Sequence, residues 1–230
     1  DYIYQSGLDL QTKLSELDIY DMHISLDDQK TLNENAQAYY KRYHKAKRGM
    51  THLLQQIKEN NKLIDLFNAY KTYIDISLEQ DIKDIEDELI GYGYKSNVQI
   101  KKSNKKQKSS PNVLKITDQK ATYLVGKNNI QNEYVTHVLA KPDDYFFHVK
   151  DAPGSHVIVK TNELDEPVLR KAAMLAAHYS SLKLSSSIPV DYTLVKYLKK
   201  IPRVPGYKVI IKNQKTIYID IDQEKIESYS

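Results

Sequence analysis

Apolar positions along the chain follow three different periods. Near the start, Leu10, Leu14 and Leu17 recur at four- and three-residue spacing and predict a short helix. The alternation Ile19-Tyr20-Asp21-Met22-His23-Ile24-Ser25-Leu26 predicts a strand, ended by Asp27-Asp28. From about Thr31 the period is helical. Asn33 is a candidate N-cap, and Ala36, Tyr39, Tyr40, Tyr43, Ala46, Met50, Leu53, Leu54 and Ile57 follow mostly three or four residues apart. With no proline before Pro111, the helix is expected to reach about Tyr73, weakened at Gly49 by about 1 kcal/mol relative to Ala. Such a helix cannot bury its stripe on its own segment. An antiparallel coiled coil is expected, with either the Leu10–Leu17 segment or a missing upstream helix as partner. Ser77 and Gln80 form a capping box for a second helix whose face is Ile82, Ile85, Leu89 and Ile90, with Gly91 and Gly93 as its stop.

The last 120 residues alternate short elements. Strands are expected at 113–117, 121–125, 144–149, 156–160, 190–197, 207–212 and 215–221, and helices at 128–139 and 166–182. The last two strands suggest a hairpin turning at Asn213-Gln214. The fold class expected is α+β, a helical coiled-coil arm followed by a compact mixed α/β domain.

Charge divides the chain in the same places. The net charge of +4 conceals 11 Lys/Arg against 17 Asp/Glu in residues 1–94 and six Lys with no acid in 95–110. Residues 111–230 carry 17 Lys/Arg against 13 Asp/Glu. An acidic arm, a basic low-complexity tether and a mildly basic domain are expected. There is no cysteine, which excludes disulfides and thiolate metal sites and fits a reducing cytoplasm. Nineteen Tyr against three Phe and no Trp suit both cores and hydrogen-bonding surfaces. The chain begins at Asp1 without a basic start and apolar stretch, so it reads as a fragment without a secretory signal. No apolar run approaches the roughly 18–20 residues that span a bilayer, and a soluble protein without membrane partners is expected.

Candidate chemistry gathers in three places. In a strand over Tyr145–Val149, Tyr145, Phe147 and Val149 face one way, and Phe146 and His148 the other with Asp144 and Lys150. His148, Lys150, Ser155 and His156 would then surround the turn Asp151–Gly154, where Gly154 opens backbone amides to a phosphate or ribose. An ordinary Pro-Gly turn with histidines satisfying backbone groups explains the same residues. A Ser155/His148/Asp151 triad can be drawn, but adjacency in sequence does not supply triad geometry, and no third metal ligand stands at a recognisable spacing. Second, Gly126-Lys127-Asn128-Asn129 turns a strand into a helix, where backbone amides and Lys127 attract anions, or where Asn129 simply caps the helix. Third, Ser185-Ser186-Ser187 precedes Lys196, Lys199, Lys200 and Arg203, interleaved with Tyr192 and Tyr197. That pattern suits RNA backbone contact and base stacking, or a solvated basic face.

In order along the chain, Leu124–Asn129, Asn132-Glu133-Tyr134, Asp144–His156, Ser185–Thr193, Pro205-Gly206 and Asn213–Thr216 resemble the NFACT-R domain of the RqcH/NEMF family, also called the fibronectin-binding protein A family. Ile24–Asp27, Asn35-Ala36-Gln37 and Tyr40–Tyr43 are similar to that family's middle and coiled-coil region. The resemblance implies residues 1–31 as part of the middle region, 32–94 as coiled-coil arm, 95–110 as basic linker and 111–230 as NFACT-R domain. It implies a non-enzymatic module that binds the large ribosomal subunit and tRNA, alanyl-tRNA in the full-length protein, and supports alanine tailing of stalled nascent chains. A cytoplasmic, ribosome-associated location follows. The alternative is a fibronectin-binding adhesin at the cell surface. The implied RNA-binding residues are Lys127, Asn128, Asn129, His148, Lys150, Ser155, His156, Ser186, Lys199, Lys200 and Arg203, with no catalytic residue, cofactor or metal. Two departures stand out. Phe146 replaces the usual Trp, losing an indole donor, and the loop Lys199–Gly206 is a residue short and lacks its first Gly.

Overall fold

The computed structural model describes residues 2–19, 21–77, 79–94, 110–201 and 208–229, without the side chain of Gln80. The basic tether and the loop holding Arg203, Pro205 and Gly206 lie outside them. The chain divides into two units, Asp1–Asn61 and Lys62–Ser230.

In the first unit, a short helix α1 (Tyr2–Gln5) precedes an antiparallel hairpin of β1 (Glu16–Ile19) and β2 (Met22–Ser25). The alternation expected to form one strand therefore reverses, with Ile19 paired to Met22. The helix expected over Leu10–Leu17 is absent too. Asp9 accepts the amide of Gln11, Lys13 bridges Thr31, and the amides of Leu26, Leu32 and Asn33 bond to the carbonyls of Ser15, Thr12 and Leu10. These non-local bonds satisfy the backbone that a helix would have satisfied locally. The three leucines still reach the core, packing on Ile3, Leu26, Leu32 and Ala36.

The long helix α2 runs over Leu32–Ile76. Its cap is not Asn33. The Thr31 hydroxyl accepts the Glu34 amide, and the Glu34 carboxylate accepts the Thr31 amide, a reciprocal capping box that satisfies two otherwise orphaned donors. Buried Asn35 ties down the preceding loop by accepting from the Asp27 amide and donating to the carbonyls of Asp27, Lys30 and Thr31. Beyond this, Tyr40, Tyr43, Met50, Leu53, Leu54 and Ile57 are exposed. The Leu10–Leu17 segment is not their coiled-coil partner.

In the second unit, the last turns of α2 pack with α3 (Glu79–Gly91) around Leu66, Tyr70, Tyr73 and Ile85. Gly93, at φ +93°, ends α3 as its spacing suggests, with its amide on Ile90 and that of Tyr94 on Leu89. The main body is a six-stranded antiparallel sheet in the order β10-β7-β5-β6-β4-β3. The strands are β3 (Leu114–Thr117), β4 (Ala121–Gly126), β5 (Tyr145–Val149), β6 (His156–Thr161), β7 (Ile188–Leu194) and β10 (Lys215–Ile219). The helix expected at 128–139 is split into α4 (Asn129–Tyr134) and a π-helical turn, Val135–Leu139. α5 (Glu166–His178) is capped by Asp165, which accepts the Val168 amide. α5 and α6 (Gln223–Ser228) cover the sheet face bearing Tyr123, Phe147, Val149, Val157 and Val190. The opposite face carries Phe146, Leu124 and Ile158 beneath Val135 and a two-stranded ribbon, β8 (Leu198–Lys200) and β9 (Val209–Ile211). The alternation read along Tyr145–Val149 thus separates two cores.

The terminal hairpin does not form. β9 pairs with β8, and β10 adds to β7. The strand expected over 190–197 leaves the sheet after Leu194, where the amides of Val195 and Lys196 turn to the carbonyls of Asp144 and Pro142. At the far end, the Thr193 hydroxyl donates to the carbonyls of Lys212 and Asn213, while Asn213 takes φ +52°. These bonds bend the chain from one sheet into the other. Among the described residues no helix is long and apolar enough to cross a membrane.

Candidate nucleic-acid interface

The two candidate turns meet. β4 and β6 are neighbours, pairing Gly126 with His156, so the Gly126–Asn129 turn lies beside the end of the Asp151–Ser155 turn. Asn132 staples them. Its side-chain oxygen accepts the His156 amide at 2.8 Å, and its amide group donates to Gly154 O at 3.3 Å and to the Tyr73 hydroxyl at 3.4 Å. Gly126 is required by closeness, since a Cβ there would stand 2.6 Å from Asn132 Oδ1 and 2.7 Å from its backbone N. Gly154 is likewise needed for space, because a Cβ there would stand 2.9 Å from both Ser180 Cβ and Val149 Cγ2. In this turn the positive φ falls on Asp151, at +53°, and not on Gly154. The following amide does not face solvent either, because Ser155 N donates to Tyr179 O.

Lys127 is 4 % exposed. Its ammonium lies 2.7 Å from Asp81 Oδ2 on α3, and Gln131 Nε2 donates to Asp81 Oδ1 at 2.8 Å. The anion expected at this turn is therefore the protein's own carboxylate. Asn128, rather than Asn129, caps α4, accepting the Gln131 amide at 2.8 Å. Asn128, Asn129 and Ser155 are buried, and no hydrogen bond joins the Ser155 hydroxyl to either histidine. The triad geometry is not formed.

His148 and His156 stand edge to face with ring centroids 5.3 Å apart, and Phe146 stacks on His148. His156 Nδ1 lies 2.8 Å from the Thr136 hydroxyl. Burial holds both imidazoles below their ordinary pKa, and for His156 the neighbouring His148 adds to the effect. They are neutral polar groups at physiological pH rather than cations. With Asn129, Tyr73, Leu66 and Lys208 they line a groove of about 550 Å³.

The remaining candidates are surface residues. Lys150, Ser186 and Lys199 are exposed, and Lys200, on β8, forms an ion pair with Glu133. Lys199 shares β8, opposite Ile210. Arg203 lies outside the described residues. Much of this unit's positive charge is neutralised internally, with Lys120 on Asp165, Lys160 on Asp144, Lys171 on Asp118, Lys196 on Asp143 and Lys208 on Asp65. Sequence reasoning missed Asp81, Gln131, Tyr73 and Asn132. Only Asn132 stood inside a block already singled out; nothing local marks one carboxylate of an acidic helix as the partner of a lysine 46 residues on.

Two known protein families match the chain. Residues 4–110 match the NFACT N-terminal and middle domains, and residues 113–213 match the NFACT protein RNA binding domain. A Bacillus subtilis (strain 168) protein named Rqc2 homolog RqcH is 39 % identical over 206 residues, covering 88 % of this chain and 36 % of that protein. The protein of the same name from Streptococcus suis is 37 % identical over 211 residues, covering 90 % of this chain and 38 % of the relative. The chain thus spans little more than a third of these relatives. Among solved structures, the C-terminal part of the fibronectin/fibrinogen-binding protein from Streptococcus suis superposes with a TM-score of 0.73 at 35 % identity, covering 86 % of this chain and 80 % of that one.

Proposed function

Because the chain belongs to the RqcH/NEMF family and carries its NFACT-R domain, we propose that it is a non-enzymatic RNA-binding module of a ribosome quality-control factor. Its partner in this reading is the large ribosomal subunit, together with tRNA. Recruitment of alanyl-tRNA and alanine tailing of stalled chains are activities proposed for the full-length protein, acting on ribosomes in the cytoplasm. The observation that carries the reading is the match of residues 113–213 to an RNA-binding domain.

In this reading the candidate residues take two roles. Lys150, Ser186, Lys199 and Lys200 stand at the surface, where they can meet phosphates. Lys127, Asn128, Asn129, His148, Ser155 and His156 are read here as supports of the two turns rather than phosphate contacts. The exposed apolar stripe of α2 is covered, in this proposal, by a further helix of the full-length protein as a coiled coil.

Binding of the chain to isolated large subunits, measured over a salt series, tests the reading. Affinity is expected to fall steeply with salt, because each neutralised phosphate releases counterions. Replacing Lys150 and Lys199 by Gln should weaken it; salt-independent binding, or no effect of that pair, refutes the assignment. A second reading, fibronectin binding, is favoured by what the Streptococcus suis neighbour is called. Labelling intact cells beside a cytoplasmic marker separates surface display from lysis.

A further inference from the structure

The groove beside the paired histidines is built from rings and neutral polar groups. Alternation along β5 puts Phe146 and His148 on one side of the strand, and their rings lie nearly parallel, 17° apart in plane with centroids at 6.3 Å. His156, on the neighbouring β6, stands edge-on to both, 4.9 Å from Phe146 and 5.3 Å from His148. Phe146 is fully buried, whereas His148 is only partly buried and lines the groove. Ala69 and Tyr73 of α2 line it as well, and so does the Asp151–Pro153 turn.

The charge of the lining does not suit an anion. Asp65 and Asp151 oppose a single cation, Lys208, which itself lies 3.7 Å from Asp65. The imidazoles add no positive charge at neutral pH, because burial lowers the pKa of each. Polar groups nonetheless remain to be met. His156 uses Nδ1 on the Thr136 hydroxyl, and among the described residues no side chain bonds to its Nε2. Asn129 is 1 % exposed and lines the groove, and its Nδ2 approaches Glu88 and Tyr70 without closing a hydrogen bond to either. A buried donor without a partner is costly, so one that lines a groove marks where the acceptor of a ligand belongs.

We infer that this groove takes one unpaired nucleobase of RNA, held by stacking and by hydrogen bonds to its edge rather than by charge. The inference rests on the RNA-binding reading above and names what the paired histidines would touch. A base is flat and uncharged, with donors and acceptors along its edge, which is the combination this lining can satisfy. Laid on the open face of His148, it extends the Phe146–His148 stack by one ring. Asn129 Nδ2 supplies a donor to its edge, and the neutral His156 ring donates or accepts at Nε2 according to its tautomer. The volume of about 550 Å³ falls within the range of roughly 300–1,000 Å³ usual for small-ligand sites.

The test uses the whole 230-residue chain and, as probes, a single-stranded RNA of about ten nucleotides and the same backbone made abasic throughout. Ala152→Leu and Ala69→Leu each fill the groove, one from the turn and one from α2, without altering charge. Each should weaken binding of the base-bearing strand about 10-fold, the order that stacking of one base contributes. The slope of log K against log salt should not change, since no phosphate contact is lost. The abasic strand should bind parent and variants alike. Thermal melts identify a variant that fails to fold, and the second variant, on the other wall, then decides. Equal affinity of parent and folded variant for the base-bearing strand overturns the inference, as does an equal loss with the abasic strand. A loss of binding to intact large subunits with none to the RNA strand also overturns it, and assigns the groove to a protein side chain. Lys150→Gln with Lys199→Gln is scored in parallel. If that pair flattens the salt slope while filling the groove has no effect, this inference falls and the RNA-binding reading stands; if neither strand binds at any salt, that reading falls with it.

Discussion

Replacing Lys127 by Met distinguishes a structural lysine from an RNA ligand. The ammonium and the Asp81 carboxylate are 2.7 Å apart, with side chains 5 % and 2 % exposed. At an effective dielectric constant of about 20, their gross attraction is roughly 6 kcal/mol, most of which repays their removal from water. Met fills nearly the same volume but leaves a buried carboxylate without its counter-charge, a loss of about 3–5 kcal/mol. For a domain of this size each kcal/mol moves Tm by about 2–4 °C, so the melt should fall by about 6–20 °C. Asp81→Leu combined with Lys127→Met removes both charges and should recover most of the loss. Thermal melts and urea titrations of the four species of the cycle measure the coupling. RNA affinity of Lys127→Met, measured well below its melting point, should stay within about twofold of the parent. A stability change under 1 kcal/mol, or a fall in RNA affinity at unchanged stability, refutes the reasoning and restores Lys127 as a phosphate ligand.

Three further outcomes follow from the same geometry. His156 is held neutral in the folded state, so the unfolded chain binds its proton more readily; its contribution is present above pH ~6.5 and is lost as pH falls below that value, by about 1.4 kcal/mol per unit until the lowered folded pKa is reached. Urea midpoints at pH 7.5 and 5.5 should show the loss, and His156→Gln should reduce it while His148 keeps its own share; an equal slope in that variant counts against the neutral imidazole. Gly126→Ala forces a methyl against Asn132 and should cost about 1–3 kcal/mol by thermal melt, whereas a neutral result means the two turns are not in close contact. Thr31→Ala removes half of the capping box and should lower stability by about 1 kcal/mol, while Asn33→Ala should not. Parity of the two would return the cap to Asn33.

Periodicity located most of the elements because helix and strand repeats are local properties. The strands containing Tyr123, Phe147 and Val157 lie where alternation put them, and the long helix extends over the helical stripe. The failures share a cause. Leu10, Leu14 and Leu17 have helical spacing, but the backbone around them bonds to residues 26–33, and spacing carries no information about such pairings. The expected hairpin around Asn213 had two suitable strands and a suitable turn. What decided the pairing was the free edge of β7, which takes β10 in register from Lys215–Tyr192 to Ile219–Ile188. An edge left unpaired is costly, and competition between edges is settled only in three dimensions.

In the candidate site, residue types were legible and their partners were not. Lys127, Asn128 and the paired histidines were recognised by their type, as cations and polar groups beside turns. Their types are legible in the sequence; the groups they face across the chain are not. Lys127 attracts an anion, but the anion is Asp81; the amide after Gly154 donates, but to Tyr179. A motif that stabilises negative charge serves the fold as readily as it serves a phosphate, and only the partner found across the chain separates the two. The same argument runs in reverse for α2. Its basic residues carried no motif and sat in a region whose summed charge is negative, so composition hid them. Among the described residues Lys41, Arg42, Lys45, Lys47 and Arg48 have no carboxylate within ion-pair distance, as is true also of Lys150 and Lys199. For a polyanionic partner, the charge that counts is what the fold leaves unpaired, and here Lys127 is neutralised by Asp81 while Lys150 and Lys199 stay exposed.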